Sequence, residues 1–308
     1  MPNLYIIDGS NCAFRAHCAF SGLTFEDFPI GAVYGVTRIL CTFVKEFPVG
    51  RIIIPFDVSK SVHRLALYPE YKASREKNRD TQLRDRYILQ LHLIYDLLTK
   101  FGVSILTEEA RGVEADDVIS YIIHKFKTNQ FPSEYDLALI VSSDKDLCAL
   151  VSKSDTKVVN WYDPISRTLV TADNFEDTFK VKLEQYVDFK CLRGDSSDNI
   201  QHPPGIGPGT AAKLLREYGT IDKMIEIGHA KISPYRDVLA LARKLVALNL
   251  HEIDASNQVW SKIDEKIKQP TRLDPDLELN LEGLSFHSIL EEWSTLKPKW
   301  EAFCACQI

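Results

Sequence analysis

Short apolar runs alternate with longer stretches of helical periodicity along the first 150 residues. Short apolar runs are typical of buried strands, and apolar residues repeated every three or four positions are typical of helices. Strands are predicted at 4–7, 51–56, 103–106 and 136–142, and helices at 31–47, 86–102 and 114–126. This alternation favours βαβ units, so the predicted fold class is α/β, with a mostly parallel central sheet flanked by helices.

The pattern changes after residue 150. It predicts a hairpin at 157–171, an amphipathic helix at 181–194, a loop and short helix over 195–219, and further helices at 221–268. We therefore predict three parts: an α/β domain over 1–178, a helical domain over 179–268, and a C-terminal segment over 269–308. Trp293 and Trp300 are interpreted as residues that pack this last segment on the core.

Composition and targeting signals constrain the class of protein. The chain has 308 residues, of which 45% are hydrophobic and 26% charged, which is ordinary globular composition. No apolar run reaches the ~18 residues of a membrane span, and the N-terminal MPNLYIIDGSN lacks the features of a signal peptide. The seven cysteines are scattered without a C-x-x-C pair, which fits reduced thiols. We expect a cytoplasmic protein without a membrane partner.

Acidic residues follow the ends of the four strands predicted in the first domain. Asp8 and Asp57 follow the first two, a cluster at 114–117 follows the third, and Asp144 with Asp146 follows the fourth. The carboxyl ends of parallel strands share one edge of a sheet, where ligands bind. Each acid alone is explained as a helix cap or a turn residue. Their repeated placement is not, and it predicts that they converge in space.

These acids have no His or Cys cluster beside them in the sequence, which predicts hard cations, Mg²⁺ or Mn²⁺ rather than Zn²⁺. The candidate metal ligands are Asp8, Asp57, Glu114, Asp116, Asp117, Asp144, Asp146, Asp195 and Asp198. They are too many for one ion, so two or more ions are expected, as in many phosphodiester hydrolases. A haloacid-dehalogenase-type phosphatase is disfavoured, because Asp8 is followed by Gly9 and Ser10 rather than by the required D-x-D.

A basic segment joins the second predicted strand to the helix after it. From Lys60 to Arg86 the chain carries eight basic and four acidic side chains, although its net charge of −6 argues weakly against a nucleic-acid partner. A solvated charged loop is the ordinary interpretation. The basic segment is predicted to lie above the sheet edge that carries the acids, and this position favours another interpretation. In it, Lys72 and Arg75 stabilise charge on a scissile phosphate. Tyr71, a third catalytic candidate, would stack on an exposed base.

The stretch GIGPGTAAKLL at 205–215 contains a glycine turn before a helix. It follows two prolines rather than a strand, so a dinucleotide-binding loop is rejected, and it lacks the Lys-Ser/Thr ending of a P-loop. Gly205, Gly207 and Gly209 would let the backbone approach a phosphate at the N-terminus of the next helix. A plain turn is the alternative. If DNA binds there, the contact carries no sequence information.

Together these motifs resemble the 5′-nuclease domain of bacterial DNA polymerase I and its phage and eukaryotic relatives, the flap endonucleases. The matching stretches, in chain order, are IIDGSNCAFRAHCAF, GAVYGV, FD, EYKASR, GVEADDVI, SSDKD, GDSSDNI and GIGPGTAAKLL. The resemblance is strong from residue 4 to about 220 and weak beyond. It implies a PIN/resolvase-like nuclease domain with an arch over about 68–100, followed by a helix–three-turn–helix domain that binds DNA.

The resemblance also implies roles for individual residues. The nine acids would form the two metal-ion groups, and Lys72 and Arg75 would be the catalytic cations. DNA contacts would come from Arg15, Lys190, Lys213 and the turn at Gly205, Gly207 and Gly209, which would also bind a K⁺ ion. Two departures are visible: EKNRDTQLRD after Arg75 lacks the proline-rich stretch of polymerase-linked members, and QHPPGIGPG is slightly longer than the usual turn.

The sequence thus predicts a monomeric, Mg²⁺-dependent, structure-selective 5′-nuclease that acts on DNA with free 5′ ends or flaps. No polymerase follows, which predicts a free-standing enzyme. Three alternatives stay open: an RNase H-like nuclease acting on RNA primers or RNA–DNA hybrids, a non-catalytic DNA-junction binder, and a metal-dependent hydrolase of small phosphates. The intact acid set argues against the second. The glycine turn and the basic segment have no role in the third.

Overall fold

The strands lie in the N-terminal part of the chain. The computed structural model describes residues 3–77, 80–131, 134–254 and 256–306. Its strands are β1 (Asn3–Ile7), β2 (Thr24–Phe25), β3 (Phe28–Pro29), β4 (Gly50–Pro55), β5 (Ser104–Leu106), β6 (Leu137–Val141), β7 (Ser152–Lys153), β8 (Val158–Asp163) and β9 (Thr168–Val170). The four strands predicted in the first domain are β1, β4, β5 and β6, and the predicted hairpin is β8 with β9.

Helices cover both faces of the sheet and make up the C-terminal part. They are α1 (Gly9–Ala19), α2 (Gly31–Glu46), α3 (Val62–Leu67), α4 (Ala73–Lys77), α5 (Thr81–Ile88), α6 (Leu91–Lys100), α7 (Ala115–Lys127), α8 (Phe175–Phe179), α9 (Tyr186–Arg193), α10 (Pro208–Tyr218), α11 (Ile221–Glu226), α12 (Arg236–Val246), α13 (Leu250–Ile253), α14 (Gln258–Lys268), α15 (Leu277–Gly283) and α16 (His287–Ala305). None of the described helices combines the length and apolar character needed to cross a bilayer.

The first strand is central in the sheet, whose order is β5-β4-β1-β6-β8-β7 with β9 also paired to β8. The first five of these strands pair in parallel, whereas β7 and β9 are antiparallel to β8. Leu4 pairs with Arg51 on one side and with Ala138 on the other. Because β4, β1 and β6 are parallel neighbours, the acids that follow them lie at one edge. The predicted parallel sheet and common edge are confirmed.

The sheet is buried on both faces, as parallel sheets usually are. Successive side chains of a strand point to opposite faces, so β1 contributes to two hydrophobic cores. Leu4 and Ile6 belong to the core shared with α7 and the C-terminal helices α9–α14. Tyr5 and Ile7 belong to the core shared with α1, α2, α6 and α16. This double burial fixes the positions at which the strands end.

Two helices differ from their predicted extents. The helix expected at 86–102 is divided into α5 and α6, because the buried Gln90 side chain is held at the break. Its Oε1 accepts the N–H of Ala32 at 2.7 Å, and its Nε2 lies 3.1 Å from Nδ1 of the buried His17. The helix expected at 181–194 starts as a 3₁₀ turn, Leu183–Gln185, before α9.

The C-terminal helices α15 and α16 pack against the sheet, as predicted from Trp293 and Trp300. Both indoles are buried, and Trp300 donates through Nε1 to the carbonyl oxygen of Phe101 at 2.7 Å. Trp293 donates to Oε1 of Glu278 at 2.9 Å. The segment therefore completes the core on the α2 face. The domain limits at 178/179 and 268/269 stay predictions.

Candidate metal and nucleic-acid site

Four acids lie at the edge of the sheet where the parallel strands end: Asp8, Asp57, Asp116 and Asp144. Asp8 directly follows β1 and caps α1, with Oδ1 accepting the N–H of Asn11 at 3.0 Å and Oδ2 accepting the Ser142 hydroxyl at 2.8 Å. Asp57 follows β4, and its Oδ1 accepts the N–H of Ala115 at 2.7 Å. Asp116 stands in the first turn of α7, and Asp144 follows β6. We refer to these four as the edge acids.

The edge acids carry more negative charge than their surroundings neutralise. Burial, with the charge of Asp57 next in importance, raises the pKa of Asp8 to about 7. Burial, together with the charges of Asp144 and Asp8, raises the pKa of Asp116 well above its ordinary value. Burial also raises the pKa of Asp57. A site that crowds desolvated carboxylates in this way favours a bound cation.

The carboxylate oxygens of the edge acids are widely spaced. Among the described residues, no three acids of this edge place one oxygen each within 4.8 Å of one another. Their oxygens are hard donors without nitrogen or sulfur among them, which fits Mg²⁺ or Mn²⁺ held partly through water. The charge excess and the donor chemistry both fit divalent ions.

These raised pKa values predict how the metal-free protein responds to pH. A carboxyl whose pKa is higher in the folded than in the unfolded chain takes up a proton on folding, so its contribution to stability falls as pH rises. For Asp8 the loss extends from its unfolded value of 3.8 to about 7. We expect Mg²⁺ to raise the thermal midpoint more at about pH 7.5 than at about pH 5, relative to EDTA. Equal shifts in thermal-melting experiments at both pH values would contradict this.

A second pair of acids, Asp146 and Asp195, surrounds Lys190. The Lys190 ammonium forms ion pairs with Asp146 and, at 3.4 Å, with Asp195, and its side chain is only 2% exposed. Burial raises the pKa of Asp146. Burial acts in the same direction on Asp195, but hydrogen bonds from Ser197 and the charge of Lys190 lower the pKa of Asp195 overall. The expectation that Lys190 lies on a DNA-contacting surface is wrong for this structure, because the lysine is buried as a counter-ion.

A third group joins the basic segment to the acids. Lys72 Nζ lies 2.7 Å from Oε1 of Glu114, and Arg75 forms an ion pair with Asp198. The Tyr71 hydroxyl donates to Glu114 at 3.1 Å and approaches Asp198 at 3.4 Å. The structure therefore brings Lys72 and Arg75 to the acids. Tyr71 is only 4% exposed, so the expectation that it stacks on a base is wrong for this structure.

The remaining candidate ligand, Asp117, is already bound. Its two oxygens accept from Nη1 and Nη2 of Arg64, both at 2.7 Å, and Oδ2 also accepts the N–H of Glu114 at 3.1 Å. Asp117 is fully buried, and the Arg64 side chain is 4% exposed. Asp117 is thus not available as a metal ligand here, because a bidentate guanidinium occupies it. Sequence reasoning counted Arg64 with the basic segment and missed this partnership.

The glycine turn is exposed, as are the two predicted DNA-binding cations Arg15 on α1 and Lys213 on α10. Gly205 has a φ of +74°, in the region that favours glycine. Added Cβ atoms at Gly205, Gly207 and Gly209 would meet nothing within 4 Å. The turn is therefore open to solvent and is not packed against other parts of the described chain, and α10 begins there at Pro208. Whether K⁺ binds at this turn stays a prediction.

Two family models match most of the chain. The N-terminal resolvase-like domain of 5′–3′ exonucleases matches residues 3–182, and their C-terminal SAM-fold domain matches residues 181–270. The chain belongs to the 5′–3′ exonuclease family. The predicted family, fold class and 5′-nuclease function are thereby confirmed. His124 falls in the first matched region, and His251 falls in the second.

Relatives of this 5′–3′ exonuclease are both free-standing and polymerase-linked. A 5′–3′ exonuclease of Aquifex aeolicus is 32% identical over 302 residues, which cover 95% of each chain. DNA polymerase I of Mycobacterium tuberculosis is 33% identical over 228 residues, which cover 73% of this chain. This chain spans about a quarter (24%) of that polymerase's length.

Solved structures of related nucleases share the fold of this exonuclease. The T5 5′-exonuclease with bound divalent zinc ions is 25% identical, with a TM-score of 0.68 over 86% of this chain and 96% of that one. The bacteriophage T5 flap endonuclease in a complex with DNA and metal ions is 26% identical, with a TM-score of 0.69 over 87% of this chain and 100% of that one. The catalytic core of Rad2, at 15% identity and a TM-score of 0.54, shares the fold alone.

Proposed function

We propose that this protein is a 5′-nuclease that requires Mg²⁺ or Mn²⁺ and hydrolyses phosphodiesters of duplex DNA near a free 5′ end or a 5′ flap. The observation that carries the proposal is the group of four edge acids at one edge of the sheet, in which the pKa values of Asp8 and Asp116 are raised. The flap endonuclease of bacteriophage T5, which was solved with DNA and metal ions, supports the choice of substrate.

Two sets of carboxylates would hold the ions. The edge acids Asp8, Asp57, Asp116 and Asp144 form the first set. Glu114, Asp146, Asp195 and Asp198 form the second, in which each carboxylate is already partnered by Lys72, Lys190 or Arg75. When bound, divalent ions polarise the scissile phosphate and offset the charge that builds on it during hydrolysis.

Lys72 and Arg75 would position and stabilise the phosphate. Both approach the site from one short segment, since the N–H of Lys72 donates to the Asp198 carbonyl at 3.0 Å and the N–H of Arg75 donates to the Lys72 carbonyl at 3.2 Å. Lys72 has a positive φ of 58°, an uncommon conformation for a non-glycine residue. This local strain directs both cations to one place beside the acids. The Lys72 side chain is largely buried, whereas that of Arg75 is about half exposed. A cation from which water is largely excluded stabilises a transition-state charge better than it does in water.

Replacing Lys72 or Arg75 by alanine is expected to lower kcat on a flap substrate by about 10²–10³-fold, because each removes a donor to the transition-state phosphate. The dissociation constant for DNA should change far less. Single-turnover cleavage and anisotropy binding measure the two effects separately. Lys262→Ala, on the exposed face of α14, is the matched control and should leave both values unchanged. A loss of binding as large as the loss of rate would contradict a role in the chemical step.

The glycine turn and Lys213 would hold the duplex, with Arg15 as a further contact. The exposed turn glycines lie at the start of α10, where a helix N-terminus favours phosphate. Contacts to phosphate alone tolerate RNA as well as DNA. The protein would act as a monomer in the cytoplasm, with K⁺ at the turn.

Lys213→Ala is expected to weaken DNA binding while leaving single-turnover cleavage at saturation unchanged, because a phosphate contact adds affinity without touching the reaction. The slope of log affinity against log salt should decrease by about one. Fluorescence anisotropy across a range of salt concentrations gives this slope. An unchanged slope, equal to that of Lys262→Ala, would exclude Lys213 as a phosphate contact.

The experiment that tests the proposed function is cleavage of a 5′-labelled flap duplex in Mg²⁺ and in EDTA, beside a matched RNA flap. Release of a short 5′ fragment only in Mg²⁺ is the expected result. Faster cleavage of the RNA flap would favour primer removal instead. Binding without cleavage in either Mg²⁺ or Mn²⁺ would favour the non-catalytic junction binder.

A further inference from the structure

Two histidines and a glutamate meet at the end of α7 opposite the edge acids. One candidate ligand atom from each of His124, His251 and Glu252 lies within 4.8 Å of the other two. Nδ1 of His124 is 3.8 Å from Oε1 of Glu252, and Nε2 of His251 is 3.9 Å from the same oxygen. The two imidazole rings have centroids 4.7 Å apart. Sequence analysis missed this group, because His124 is far from His251 and Glu252 along the chain.

The central ligand candidate, His251, is buried without a hydrogen-bond partner. Its side chain is only 7% exposed, and neither ring nitrogen has a partner among the described residues. Leaving a buried polar group unpaired costs about 1–3 kcal/mol, so such groups call for an explanation. The ring packs beside Tyr121 and Trp260, which fix its position. Burial and the nearby His124 lower the pKa of His251, which favours the neutral imidazole, in which one of the two ring nitrogens carries no proton.

The donors fit a borderline metal ion better than the hard ions proposed for the edge acids. Two imidazoles and a carboxylate are a common protein ligand set for Zn²⁺, and neutral imidazole is a poor ligand for Mg²⁺. Tetrahedral Zn²⁺ with ligands at about 2.0–2.1 Å places its donor atoms about 3.4 Å apart. The two nitrogen–oxygen separations to Glu252 need to close by roughly half an ångström, which side-chain rotation supplies. His124 and Glu252 are 37% and 57% exposed, which leaves a coordination position open to water.

We propose that His124, His251 and Glu252 form a zinc-binding site that fastens the segment around α13 to the C-terminal end of α7. The residues just before α13 already contact the first domain. The Ser120 hydroxyl of α7 donates to the Leu248 carbonyl, and Nε of Arg64 donates to the Leu245 carbonyl at 3.0 Å. The zinc would join the regions matched by the two family models, since His124 comes from one and His251 from the other. The site is distinct from the proposed catalytic ions, which lie at the other end of α7.

The test is zinc binding measured by competition with a chromogenic chelator. Excess Mg²⁺ is present so that the edge acids are occupied by Mg²⁺ rather than by zinc. The wild-type protein should retain one Zn²⁺ per chain, and His124→Gln and Glu252→Gln should each weaken this zinc by about tenfold or more. These two side chains are partly exposed, so their replacement spares the fold, unlike replacement of the buried His251. His92→Gln, an exposed histidine of α6, is the matched control.

Thermal melting supplies the second readout. Zn²⁺ added in excess Mg²⁺ should raise the midpoint of the wild type and of His92→Gln by several degrees, and that of His124→Gln much less. Asp116→Asn should keep the zinc, because it alters only the edge acids. Equal zinc affinity in all variants, or loss of zinc in Asp116→Asn alone, would overturn the proposal. Neither result depends on cleavage, so a failure of the proposed nuclease function would be recognised separately.

Discussion

Asp116→Asn is expected to lower kcat on a flap duplex by about 10³-fold or more and, in EDTA, to make the protein more stable. Asp116 shares the edge of the sheet with Asp144, Asp8 and Asp57, and their charges raise its pKa. Asparagine keeps the shape of the side chain but removes one of these charges. Ion binding is thereby weakened, and the repulsion in the metal-free fold is relieved. Single-turnover cleavage and thermal melting in EDTA measure the two effects.

The opposite signs of these effects make Asp116→Asn informative. A substitution that merely damages the fold lowers activity and stability together. Asp163→Asn is the matched control, since Asp163 also ends a strand but accepts hydrogen bonds from Ser143 and Ser166. Those bonds outweigh the effect of burial and lower the pKa of Asp163. Asp163→Asn should therefore gain no stability. Near-normal cleavage by Asp116→Asn in Mg²⁺ would show that the edge acids do not take part in the reaction.

Arg64→Met is expected to lower the free energy of unfolding by about 3–5 kcal/mol, because Asp117 would remain buried and charged without its partner. Both members of the pair are almost completely buried, and Arg64 also binds Glu114 at 3.1 Å. The Leu245 carbonyl would lose its donor as well. Urea denaturation measures the change, with the slope of the transition as a check on two-state behaviour.

A double-mutant cycle isolates the ion pair from the loss of packing. Arg64→Met with Asp117→Asn should be more stable than Arg64→Met alone, because the unpaired charge is gone while the asparagine oxygen still accepts the Glu114 N–H. Arg38→Met serves as the exposed comparison, since its pair with Glu292 is about one-third exposed and is expected to be worth under about 1 kcal/mol. If Arg64→Met lowered the free energy of unfolding no more than Arg38→Met does, the buried ion pair would not be a source of stability for α7.

The edge of the site could be predicted from the sequence because it depends on local signals. Asp8 and Asp57 each follow a run of apolar residues, and parallel strands bring such positions together whatever the loops do. The partners of these acids depend on contacts that no periodicity records. Arg64 reaches Asp117 across 53 positions of the chain, and Lys190 reaches Asp146 across 44. Arg64 was counted with the basic segment, and Lys190 was expected from the resemblance to contact DNA, yet both are buried.

The interrupted helix shows the same limit. Apolar periodicity runs through 86–102, and nothing local marks the break before Leu91. The break follows from Gln90, whose amide is held by Ala32, a residue 58 positions earlier in the chain. Tertiary hydrogen bonds of this kind override helical periodicity, and a single sequence does not reveal them.

The strand order also has a consequence for how the enzyme is made. β1 is synthesised before the two strands with which it pairs, β4 and β6, whose residues lie about 50 and 130 positions later. Pairing between such distant segments is slow and comes late in folding. The acids therefore stay dispersed along the nascent chain until β6 has been synthesised, and Asp195 and Asp198 arrive later still. A chain that has been synthesised only as far as β6 lacks Asp195 and Asp198. We therefore expect the complete set of acids, and with it the ability to cut nucleic acid, only after Asp198 has been added.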